Sequence, residues 1–156
     1  MKMKKVKHQF DFDNIPKVHN LVNRVAEIIV QDVKQGVAKG KDLSNVPFEK
    51  LNPKTIRAKR RSGSSTPKKP LMDTHKMVGR GGGTGGVYVS DKATAMKHSA
   101  TIKMPKDREE IGIYHNEGSG NLPVREWWGI SDRATKRLDK MVREFMKLLY
   151  SINKRR

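Results

Sequence analysis

The sequence predicts an α+β fold, an antiparallel sheet packed with a long N-terminal helix and a C-terminal helix. Apolar residues recur at three-four spacing near both ends of the chain, and short strand-like runs fill the middle. The regular alternation of strand and helix that a parallel sheet requires is missing. With 156 residues and no internal repeat, one domain is expected over 1–156.

Residues 5–13 alternate Val6, Phe10 and Phe12 with polar residues, which predicts a short strand. Asn14 then offers an N-cap, with Pro16 near the first helical turn. Val18, Leu21, Val22, Val25, Ile28, Ile29 and Val33 form one stripe and predict a helix over about 15–37, with Gly36 and Gly40 marking its end. A polar connection over 38–50 leads to Asn52-Pro53, a second cap-plus-proline signal, and to a short helix from Lys54 to Arg61. Residues 62–70 have no apolar residue except proline and predict a mobile loop, so mobility is expected over about 38–70 and again over the glycine stretch 79–86.

Leu71 to Val78 is expected to be a brief ordered element, helical in one reading. Strands are expected at 87–89, 100–104 and 111–115, with a turn from Pro105 to Glu110. In the last helix Ser131 is the expected cap and Asp132 lies in the first turn. Leu138, Met141, Val142, Phe145, Leu148, Leu149 and Ile152 share its apolar face.

The chain carries 34 basic against 16 acidic residues, a net charge of +18, which favours acidic partners. Eight basic residues and no acid fall between Lys50 and Pro70. Within that tract Lys54, Arg57, Lys59, Arg60, Arg61, Lys68 and Lys69 are candidates for contact with DNA phosphates or an acidic protein. Few aromatics accompany them, which disfavours stacking on single strands. Cysteine is absent, so disulfides, thiolate metal sites and cysteine nucleophiles are excluded. No apolar run has the length of a membrane span, and no apolar segment follows the basic start, so no membrane partner is expected and the chain is expected to be assembled in the cytoplasm.

Gly81-x-Gly83-x-x-Gly86 has the spacing of a dinucleotide fingerprint, but a strand rather than a helix follows, so a linker or hairpin tip is expected. The five histidines form no helical ligand pair, and His115-Asn116-Glu117 has no nucleophile beside it in sequence. No catalytic residue, cofactor or metal is therefore expected. Adjacent tryptophans on a strand point to opposite sides, so either Trp127 is core and Trp128 a subunit contact, or the reverse, or both are core by another geometry.

Three blocks carry a resemblance: Phe48 to Lys59, Pro70 to Met77, and Ile113 to Gly118 leading into Leu122 to Ser131. Their order and the final Pro-x-Arg-aromatic-aromatic-Gly-x-Ser run resemble the phage virion morphogenesis family, which includes the tail completion proteins of Mu-like phages. His75 stands where that family usually has Gly, Tyr114 and His115 are adjacent so that its spacer is shortened, and Trp128 replaces its Leu. The resemblance implies a non-enzymatic structural subunit of a ring at the head–tail junction of the virion. Its implied partners are its own copies, the tail tube and head-connector or neck proteins, with non-specific contact to packaged DNA as a further option. The family-motif or interface residues it implies are Leu71, Asp73, Thr74, His115, Gly118, Pro123, Arg125, Trp127 and Trp128. The alternative is a small basic nucleic-acid-binding protein, and an enzyme ranks third for want of an acid–metal cluster.

Overall fold

A computed structural model describes residues 17–79 and 86–154. The strand expected at 5–13, Asn14, Pro16 and most of the glycine stretch lie outside these residues. Along the described chain run α1 (Val18–Lys39), α2 (Pro53–Arg61), β1 (Tyr88–Asp91), β2 (Thr101–Lys103), α3 (Glu109–Glu117, entered by a 3-10 turn at Lys106–Arg108) and α4 (Asp132–Lys154). The fold is α+β, with one long helix near each end.

Helix α1 continues through Gly36 to Lys39, two residues past the expected end at about 37. The Arg133 side chain packs against Gly36: a Cβ there would lie 2.6 Å from the Arg133 guanidinium, which would have to shift. The helix ends at Gly40, whose φ of 70° suits a residue without a Cβ. Lys41 N–H donates to Gly36 O and Gly40 N–H to Val37 O, both at 2.9 Å, closing a Schellman motif.

Strands β1 and β2 pair antiparallel, Tyr88 opposite Lys103 and Val89 opposite Ile102, with a bulge before Asp91. Asn23 on α1 ties the helix to the connection beyond β1: its side chain accepts from Ala93 N–H at 2.7 Å and donates to Ala93 O at 3.0 Å. The core gathers Val33 and Val37 of α1 with Met72, Met77, Val78, Val87, Met104 and Trp127.

Two expected elements differ. Leu71 to Val78 is a chain of turns, with Leu71 and His75 at positive φ. The strand expected at 111–115 is helix α3. Alternation of Ile111 and Ile113 suggested a period of two, but both side chains are exposed, and the inward positions are Gly112, His115 and Asn116. Glu109 and Glu110 in the first turn suit a helix N-terminus, and Gly118 ends the helix by donating to Tyr114 O.

Helices α1 and α4 run antiparallel. Asp32 late in α1 meets Ser131 and Arg133 at the start of α4, while Lys17 to Arg24 face Met141 to Leu148 across a groove of about 400 Å³. Toward its C-terminal end α4 leaves Val142, Met146, Leu148 and Tyr150 exposed.

Candidate interaction site

A cleft of about 270 Å³ opens between α2, the turns over 71–77 and α3. Leu51, Thr55 and Lys59 form one wall, Leu71 to Met77 the second, and Arg108, Ile111 and His115 the third. All three sequence blocks that carried the resemblance thus contribute to one concavity. Of the residues singled out in the sequence, it collects Leu71, Asp73, Thr74, His115 and Lys59.

Lys59, on the first wall, ties it to the second. Helix α2 is fixed at its start by the Asn52 side chain, which accepts from Lys54 N–H at 2.8 Å, and by Pro53 in the first turn. One face of this short helix turns Lys59 inward, to 9% exposure. Its ammonium donates to Thr66 O at 3.2 Å, Lys69 O at 2.8 Å and Met72 O at 2.9 Å. Three donors meet three carbonyls, which satisfies the group in full. Burial lowers the Lys59 pKa, and the negative charge of Asp73 opposes that shift. Lys59 therefore differs from the free cation expected of it: it organises the loop over 62–72 and does not face solvent. Lys54, Arg57, Arg60, Arg61, Lys68 and Lys69 are exposed as the basic tract requires, and Lys69 also reaches Ala38 O at 2.9 Å.

The third wall is held from behind by the segment after α3. Arg125 N–H donates to His115 O at 2.8 Å, and the Arg125 guanidinium, on a residue only 3% exposed, reaches Glu49 O at 3.4 Å. Arg125 thereby joins the two parts of the third sequence block to each other and to the start of the first. It is buried within the chain's own fold, as is Trp127. Burial, and then the Arg125 charge, lower the His115 pKa, so its ring is held neutral.

The paired tryptophans differ in burial, and Trp128 too packs against the core cluster. Trp127 is 1% exposed and donates from Nε1 to Gly112 O at 3.0 Å. Trp128 is half-buried and lines a small apolar hollow with Ile29, Val33 and Ile102. The Asn116 carboxamide oxygen accepts both backbone N–H groups, Trp127 at 3.1 Å and Trp128 at 2.9 Å. Gly118 packs against Val124, and half-buried Pro123 fixes the turn between them.

Sequence reasoning missed Asp32, a carboxylate 3% exposed within the apolar stripe of α1. It accepts from the Ser131 hydroxyl and from Arg133 Nε at 3.2 Å, and Arg133 continues to Asp42 O at 3.2 Å. An aspartate at an apolar-face position opposite an expected cap was the available signal. Arg108, in the 3-10 turn, was also missed. Among the described residues no group of three His, Asp or Glu side chains is arranged to hold a metal ion.

No protein-family model, curated protein or solved structure matches the chain.

Proposed function

We propose that this chain is a structural subunit of a ring at the head–tail junction of a tailed bacteriophage, capping the tail tube and joining it to the head connector. The observation that carries the reading is the convergence of the three resembling blocks on one cleft. A concave surface with apolar walls and a polar rim supports a docking face between subunits. The cleft suits a protein contact: its walls are apolar at Leu51, Leu71, Met77 and Ile111, and Arg108, His75 and Lys76 supply polar donors around them. An apolar side chain flanked by an acidic residue on the neighbouring subunit complements that chemistry. Exposed Val142 and Met146 on α4 offer a second, separate surface, and two different surfaces per subunit are what a closed head-to-tail ring uses.

Substitution of Ile111→Asp tests the reading, because Ile111 is 42% exposed and lines the cleft. The variant is expected to fold, by circular dichroism, and to lose ring formation in electron micrographs. Complementation with it is expected to yield unjoined heads and tails. Normal rings and normal particles would remove the cleft from the assembly.

A second reading is favoured by the basic tract. Lys54, Arg57, Arg60 and Arg61 stand exposed on α2, and a free nucleic-acid-binding protein would use them on phosphates. The two readings part on assembly: a monomer with strong, salt-resistant preference for one DNA sequence belongs to the second.

A further inference from the structure

We infer, on the reading of the cleft as a docking face, that it receives helix α4 of a second copy of this chain, with Val142 and Met146 seated against its apolar walls. Asp139, Val142, Met146 and Tyr150 follow one another at spacings of three or four and so lie along one face of α4. Val142 is 43%, Met146 58% and Tyr150 71% exposed, so this row is left open to water. Asp139 to Met146 covers about 10 Å of helix axis. The exposed Asp139 carboxylate has no ion-pair partner among the described residues, whereas Glu144 has Lys140, with 4.0 Å between Nζ and Oε1.

The row and the cleft complement each other in both polarity and charge. Leu51, Leu71 and Ile111 offer apolar walls to Val142 and Met146, and Lys76 and Arg108 stand among them as counterparts for Asp139. Arg143, one turn after Asp139 on the same side of α4, has its counterpart in Asp73, exposed on the second wall. Opposite signs are thus matched in both directions. A chain of net charge +18 needs such local matching to meet its own copies. Two α4 helices paired antiparallel through this row would instead set Arg143 and Lys147 against their own kind. The acid at the head of the row also disfavours an anionic bilayer or a nucleic acid as its cover. The row and the cleft share no residue. Each copy therefore presents one of each, and the contact is heterologous, the kind that closes into a ring when its rotation allows.

The chain has no cysteine, so each single substitution supplies one unambiguous thiol. Full chains carrying Met146→Cys and full chains carrying Ile111→Cys are mixed in equal amounts and oxidised mildly. The mixed disulfide is expected to exceed either homodimer by at least about tenfold, because docking raises the local concentration of one thiol beside the other. A Met146→Cys homodimer as the main product would overturn the inference by pairing α4 with α4, and a statistical mixture would overturn it by showing no docking. If either variant fails to fold, Asp139→Cys with Lys76→Cys replaces the pair under the same criteria. Met146→Asp separates the occupant from the docking face. Loss of rings in both Ile111→Asp and Met146→Asp supports the inference. Loss in Ile111→Asp alone would keep the cleft as a docking face and overturn α4 as its occupant, and normal rings in both would overturn the docking face as well.

Discussion

The Ser131 hydroxyl donates to the buried Asp32 carboxylate across 99 residues of chain, and the same oxygen accepts from Ala134 N–H at 3.1 Å. One side chain thus caps α4 and fastens it to α1. Arg133 closes the arrangement, with Nε 3.2 Å from Asp32 Oδ1. Asp32→Ala would remove the acceptor of the buried Ser131 hydroxyl and the one carboxylate paired with Arg133, which keeps its bond to Asp42 O. It is expected to cost about 3 kcal/mol of stability, the usual scale for breaking a buried pair from one side. Ser131→Ala should cost about 1–2 kcal/mol, through the cap and the bond together. Urea denaturation of each variant measures both; costs within about 0.5 kcal/mol of zero would mean that neither group anchors α4.

Lys59→Met retains the length of the side chain and deletes its donors. The carbonyls of Thr66, Lys69 and Met72 lose their shared partner, so a loss of about 1–3 kcal/mol is expected, with faster hydrogen exchange over 66–72. Affinity for an acidic partner should fall less than in Arg60→Ala, because Arg60 is exposed. A larger fall in affinity for the Lys59 variant at unchanged exchange would return Lys59 to the binding surface.

Gly112→Ala brings a Cβ within 2.6 Å of Met104 Sδ and 3.0 Å of the Trp127 ring. The expected penalty is about 1–3 kcal/mol from overpacking, together with a change in tryptophan fluorescence as the indole moves off Gly112 O. A neutral substitution would mean that α3 does not pack closely on Trp127.

The His115 ring is held neutral by burial and by Arg125, so its pKa in the fold lies below its unfolded value of about 6.5. Its contribution to stability is present above that unfolded value and is lost as pH falls through the lower, folded one. Denaturation midpoints are expected to stay level above neutrality and to decline below about pH 6.5, and His115→Gln should flatten that decline. An unchanged acid-side decline in the variant would assign the effect to another group.

Periodicity revealed the two long helices because α1 and α4 have stripes of one kind over many turns. It failed at α3, where a glycine, a histidine and an asparagine face inward and two isoleucines face out. There the inner face is chosen by hydrogen bonds, Gly112 O to Trp127 and Asn116 to both tryptophan amides, which hydropathy does not record. The basic tract was legible as charge, but the inward turn of Lys59 depends on carbonyls up to thirteen residues later. Asp32 was hidden for the related reason that its partners lie about a hundred positions away. The cleft became visible only once three distant blocks met.

Exposed cations on α2 predict weak, sequence-independent binding to duplex DNA that declines steeply with salt. Replacing Arg57 or Arg60 by Ala should reduce the slope of log affinity against log salt by about 1 each if both touch phosphates. Titrations on two unrelated duplexes at several salt concentrations measure this. A marked preference between the duplexes that persists at high salt would support the nucleic-acid-binding reading over the ring.

The most direct test of the ring reading is the position of the chain in an assembled particle. Virions assembled with a tagged copy of this chain, labelled with gold and imaged by electron microscopy, should carry the label at the head–tail junction, with averaged density there forming a closed ring. Label distributed over the head, at the distal tail tip, or absent from finished particles would contradict the account.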